Sequence, residues 1–263
     1  MAVMDIRFFS KLFDRFVSFK AIIPNDTPEY KKNNYETYYQ RDMKTLYLLH
    51  GSGGDNSDWL YRTNIISLAE KYNLAIILPS GENSWYVDKN SRLYKYKKFI
   101  AEELKTYVEL TFSLSSKRED NFIAGLSMGG YGALTIGLSY CDSFSKIVGL
   151  SSALIINDIG SSSPNRDIEK LNDFEFIFGD LKSIIDSEHN PEVLVKKAIE
   201  NKCDIPKIYL ACGNNDFLIE FNRDFRDFLK DHSVDCIYKE GEGIHDWIFW
   251  ANWIEKSIKW LID

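Results

Sequence analysis

The chain has little from which to build a metal site. Its 263 residues hold four cysteines and four histidines, and no CxxC pair. Cys141, Cys203, Cys212 and Cys236 stand 62, 9 and 24 residues apart, which leaves structural zinc no ligand spacing. Free thiols in a reducing, cytoplasmic setting are the expectation for so few cysteines. Positive charge is also scarce: 32 Lys and Arg face 39 Asp and Glu, for a formal net charge of −7. Phosphate binding needs clustered cations, so a nucleic-acid partner is not expected. Internal repeats, low-complexity tracts and a GxGxxG dinucleotide turn are missing as well. No metal and no cofactor is therefore anticipated.

No secretory leader is expected either, because Asp5 and Arg7 interrupt the first residues before an apolar run can form. The nearest thing to a membrane segment runs from Asn121 to Cys141, 21 residues without a charge. Its length would permit a span, and Gly125 and Gly129 fit the GxxxG pattern of packed membrane helices. Five glycines, two serines and the acidic flanks Asp120 and Asp142 argue instead for a strand, a tight turn and a helix.

Aromatic residues are plentiful, at 14% with 17 Phe, 15 Tyr and 6 Trp, and suit a large core or an aromatic-lined pocket. Chains of this size bury roughly 70–75% of their unfolded surface, enough for one α/β domain over residues 1–263. Short apolar runs recur at Leu46–Leu49, Leu74–Leu78, Phe122–Ala124, Ile147–Leu150 and Ile208–Ala211, mostly bounded by Gly or Pro. Such runs read as strands buried on both faces. Amphipathic stretches lie between them: Ile100 to Phe112, Phe221 to Leu229, and Trp247 to Leu261. Alternation of this kind predicts a mostly parallel sheet covered by helices on both faces. Two further short strands are expected near the N-terminus, where Val17, Phe19 and Ala21 share a face. Residues 157–204 break the rhythm with a Ser-rich patch (Ser161 to Pro164) and many charges. They read as a helical insertion, either a lid over the carboxyl ends of the strands or a surface helical pair.

Gly125-Leu126-Ser127-Met128-Gly129 fits G-x-S-x-G, placed directly between a buried strand and an apolar helix. That placement is what a nucleophile elbow demands: a strained turn that exposes the serine at a helix N-terminus. A serine needs a base, and the base needs a carboxylate. Of the downstream histidines, His189 and His232 read as solvated surface residues. His245 lies in a Gly-rich loop before the last helix and is the candidate base. Asp216 follows a buried strand, 89 residues after Ser127 and 29 before His245, and is the candidate third member. Asp246 ranks second, with Asp204 and Glu242 behind it. Acyl transfer also needs two N–H donors for the oxyanion. Met128 would supply one from its backbone, and Ser52, with Gly53 as alternative, the other; His50 reads as structural.

The segments LYLLHGSGGDNSDW, SGENSWYVD, NFIAGLSMGGYGAL, ACGNNDFL and GIHDWIFW together resemble the esterase D-type branch of the α/β-hydrolases. The likeness is strongest to bacterial tributyrin esterases and weakest over residues 157–204. It implies an α/β-hydrolase fold with a small helical lid-like insertion. It also implies a serine carboxylesterase acting on short-chain acyl esters, with the triad Ser127, Asp216 and His245. Related branches leave three alternatives: acetylxylan or feruloyl esters, S-formylglutathione-type thioesters, and acyl transfer on the same triad. A small-molecule ester would be the partner, and no membrane span is expected. Gly53, Trp85, Tyr86 and Phe217 are candidates for the substrate pocket, with packing beneath a loop as the alternative for Trp85 and Tyr86. Trp247, Trp250, Trp253 and Trp260 spread widely around the last helix, so a contact between copies of the chain could bury those that the core does not.

Overall fold

The apolar runs become strands of one sheet. The computed structural model describes residues 1–89, 91, 93–161 and 168–263. Among them lie β1 (Ala2–Ser10), β2 (Arg15–Ile23), β3 (Lys44–Leu49), β4 (Leu74–Pro79), β5 (Asn121–Leu126), β6 (Lys146–Leu150), β7 (Lys207–Gly213) and β8 (Cys236–Gly241). Their order across the sheet is β1-β2-β4-β3-β5-β6-β7-β8. β1 pairs antiparallel with β2, as the short turn between them requires, and β2 pairs antiparallel with β4. From β4 to β8 every pairing is parallel. The N-terminal strands are longer than the sequence pattern suggests, nine residues each. Glu103 pins their turn by accepting from Lys11 N–H at 2.6 Å.

Parallel strands need long crossovers, and helices supply them on both faces. α1 (Ile65–Lys71) and α7 (Trp247–Ile262) cover one face. α2 (Lys105–Phe112), α3 (Met128–Ser139), α4 (Ile168–Phe178), α5 (Pro191–Glu200) and α6 (Ile219–Asp231) lie on the other. Alternate residues of each strand feed the two cores. Tyr47, Leu49, Ile77, Ile123, Ile147 and Leu210 belong to the core that α3 closes, while Leu46, Leu48, Ile76, Phe122, Val148 and Ala211 belong to the core under α1 and α7. The periodicity expected from Ile100 to Phe112 holds, but its first part, Phe99–Leu104, is wound as a π-helix.

The uncharged stretch from Asn121 resolves into β5, a turn and α3. Residues 128–138 of α3 are all buried, which explains why the helix needs no polar face. Among the described residues no helix is long and apolar enough to cross a membrane. The insertion is helical, as its sequence suggests: Ile156–Gly160, α4, a 3-10 turn at Ile184–Asp186, and α5. Ser162, Ser163 and Pro164 of the Ser-rich patch lie outside the described residues. α5 starts at an Asn190 cap that accepts from Glu192 N–H at 3.1 Å, and it packs beside α3.

Candidate active site

Ser127 sits between β5 and α3 with φ +52° and ψ −120°, a strained conformation for a residue with a side chain. Its surroundings hold it there. Ser127 N–H donates to Leu150 O at 2.9 Å, and Ser127 O accepts from Ala153 N–H at 3.0 Å. The flanking glycines are required by space. A Cβ at Gly125 would lie 2.2 Å from Gly129 O, and one at Gly129 would lie 2.4 Å from His50 O. Strand, turn and helix therefore touch backbone to backbone.

Three chain segments that are distant in sequence meet at the carboxyl ends of the strands. His245 Nε2 is 3.0 Å from Ser127 Oγ. His245 Nδ1 faces both oxygens of Asp216, at 3.0 and 2.9 Å. With Nδ1–H directed at the carboxylate, Nε2 is left as the acceptor for the serine hydroxyl. The loops that carry His245 and Asp216 are bonded to each other. Asn214 N–H donates to Gly241 O at 2.9 Å and Asn215 N–H to Gly243 O at 3.1 Å.

Asp216 is buried, and burial alone would raise its pKa. Hydrogen bonds from His245, from Leu218 N–H at 2.9 Å and from Ser151 outweigh that penalty and hold the carboxyl below its ordinary range. Ser151 is itself buried with φ +46°, and its Oγ accepts from Trp250 Nε1–H at 3.1 Å. Trp250 and Ser151 thus adjoin the carboxylate that faces His245. Sequence reasoning missed Ser151, because a serine after a strand carries no signal of its own. Asp246, the second-ranked carboxylate, is engaged elsewhere, since its Oδ1 accepts from Phe249 N–H at 2.9 Å and caps α7.

The loop after β3 faces Ser127. Ser52 lines the cavity beside it, and Met128 opens α3, where the first N–H groups have no acceptor within the helix. Gly53 is a poorer donor than Ser52, because its N–H is already bonded to Asn83 Oδ1 at 2.7 Å. Asn83 Oδ1 also accepts from Ser52 Oγ at 3.1 Å, so this side chain fixes the loop. His50 fixes it from beneath: Nδ1 donates to Gly51 O at 2.7 Å and Nε2 accepts from Gly81 N–H at 2.8 Å. Burial pushes the His50 pKa down and favours this neutral ring.

The cavity at Ser127, of about 490 Å³, is lined by Gly51, Ser52, Leu126, Phe217, Trp247 and Trp250, with Asp58 and Asp246 at its polar side. Phe217 is exposed, and its ring lies 4.6 Å from that of His245. Trp85 and Tyr86 lie elsewhere, and Gly53 does not line the cavity either. Both aromatic residues have φ +55° and are buried. Trp85 packs on Tyr131, Phe174 and Phe178 with ring centroids 5.4–5.7 Å away, and Tyr86 OH donates to His50 O at 3.0 Å. Trp85 is therefore one place where the insertion docks, alongside α3. Among the described residues, none from 157 to 204 lines the cavity. His189 corrects a second expectation. It is largely buried, its Nδ1 has no partner among the described residues, and Tyr131 OH donates to its carbonyl at 2.7 Å.

Strand order, crossover helices and the serine turn define an α/β-hydrolase. The family model described as "Putative esterase" matches residues 29–260. An acetyl esterase of Caldicellulosiruptor saccharolyticus is 43% identical over 263 residues, covering 99% of this chain and 98% of the relative. Two solved Staphylococcus aureus structures are similar over the whole chain. The fluorophosphonate-binding serine hydrolase FphF has a TM-score of 0.85 at 32% identity, with 98% of its chain covered. The S-formylglutathione hydrolase FrmB has a TM-score of 0.83 at 31% identity, with 99% covered. The chain belongs to this esterase family and is an enzyme of that class.

Proposed function

We propose that this esterase hydrolyses short-chain acyl esters, acetyl and butyryl, through an acyl-enzyme on Ser127. The observation that carries the reading is the unbroken hydrogen-bonded chain from Ser127 Oγ through His245 to the buried Asp216. His245 takes the hydroxyl proton as Ser127 attacks the ester carbonyl, and Asp216 holds the ring and balances its positive charge. The N–H groups of Ser52 and Met128 receive the oxyanion. His245 then returns the proton to the departing alcohol, and water repeats the sequence to release the acid. The cavity is walled by Phe217, Trp247 and Trp250, which suits an apolar acyl group, and the acetyl esterase relative supports a small one.

Turnover of p-nitrophenyl acetate and butyrate tests the proposal. Ser127→Ala should abolish it, and full activity in that variant would overturn the assignment. A thioester reading draws support from the S-formylglutathione hydrolase at 31% identity. Glutathione is an anionic leaving group, however, and Asp246 at the cavity opposes it, while Asp58 is paired with Arg62 at 3.6 Å. Parallel assays with ester, thioester and an added alcohol acceptor separate hydrolysis of either bond from acyl transfer.

A further inference from the structure

Cys141 follows α3, the helix that Ser127 opens, at the end remote from the catalytic cavity, about 18 Å along the helix axis. Cys203 follows α5, which packs beside α3. Both cysteines line one cavity of about 340 Å³ together with Tyr140, Glu188 and Lys197. Cys203 is also among the neighbouring groups that raise the Cys141 pKa. One guanidinium holds the two segments together. Arg118 Nε donates to Cys141 O at 2.6 Å, while Nη2 donates to Asp204 O at 2.8 Å and Nη1 pairs with the Asp204 carboxylate at 2.7 Å.

We propose that Cys141 and Cys203 form an oxidisable dithiol that closes into an intramolecular disulfide on exposure to a peroxide. The two thiols differ in a way that orders the steps. Cys203 is exposed, whereas Cys141 is buried and its Sγ donates to Leu138 O at 3.2 Å. Burial pushes the Cys141 thiol up to about 11, which keeps it protonated and unreactive toward peroxide in solution. The Cys203 sulfur, as thiolate, attacks one peroxide oxygen and the O–O bond breaks; hydroxide leaves and takes up the proton the thiol had shed, giving water and the Cys203 sulfenic acid. The Cys141 sulfur, giving up its proton, then displaces water from the sulfenic sulfur. Two thiols and one hydrogen peroxide yield one disulfide and two waters. Cys212, within β7, and Cys236, which begins β8, line no part of this cavity. The new bond would tie the end of the serine helix to the end of the insertion.

The test oxidises the full-length enzyme with stoichiometric hydrogen peroxide, then counts thiols after unfolding and maps peptides without reduction. The titratable thiols of the four cysteines should fall to two, with the Cys141 and Cys203 peptides joined and lighter by two hydrogens. In Cys141→Ser the crosslink should vanish and the Cys203 sulfenic acid should be trapped by dimedone. Retention of all four thiols, a bond from Cys203 to Cys212 or Cys236, or a bond between chains would overturn the proposal. None of these outcomes depends on ester turnover, so the catalytic assignment is tested separately.

Discussion

Asp216 and Asp246 are thirty residues apart in sequence and within one cluster in space, yet only Asp216 faces His245. Asp216→Asn should lower turnover by about 10³–10⁴ with the fold intact, since the amide cannot favour the required tautomer. Asp246→Asn should leave turnover near its starting level and cost at most about 1 kcal/mol through the cap of α7, measurable by thermal melting. Ser151→Ala removes a donor to a charged carboxylate, a bond worth about 1.5 kcal/mol, so kcat/KM should fall about tenfold. Ser127, Asp216 and His245 could be proposed from the sequence because each lies just beyond the carboxyl end of a strand. Ser151 and Asn83 gave no such warning. Their importance comes from which atoms they reach, and one sequence does not encode that in a readable spacing. Trp85 and Tyr86 misled for a related reason: which neighbours a loop aromatic packs against is settled by tertiary contacts.

Among the elements, the loop after β3 is held from two sides, by His50 below and Asn83 above. Asn83→Ala should free the Ser52–Gly53 turn, so that the oxyanion donor proposed at Ser52 has to be ordered in each cycle. The expected outcome is a five- to tenfold lower kcat with little change in KM, a fraction of the loss typical of deleting an oxyanion donor outright. The strand pattern was legible because fully buried strands leave continuous apolar runs. The insertion was less so. Its helices were expected, but its docking on Trp85, through Phe174 and Phe178, is a tertiary contact that no periodicity reveals.

At the level of the whole molecule, the abundance of aromatics divides between core and site. Trp250 and Trp253 are buried under the sheet, Trp247 stacks edge-on to Trp59 at 5.2 Å, and Trp260 lies 5.4 Å from Tyr209. The chain itself covers much of these rings. Acid sensitivity follows from His189, whose pKa burial lowers from 6.5 to about 4, with Lys97 adding to the effect. As pH falls, the unfolded chain binds this proton first, so the group withdraws stability between about pH 6.5 and 4. Melting temperatures of His189→Gln should show a shallower decline over that interval than those of the parent.

The candidate nucleophile and base are anchored with unequal firmness. Ser127 extends from β5, buried along its whole length in mid-sheet, whereas the His245 loop leaves β8, a half-exposed edge strand. Local opening begins where backbone hydrogen bonds meet solvent. The edge can therefore detach while the centre of the sheet stays closed, and amides of β8 should exchange with deuterium sooner than those of β5. In a urea titration, ester turnover should then fail before far-ultraviolet circular dichroism changes.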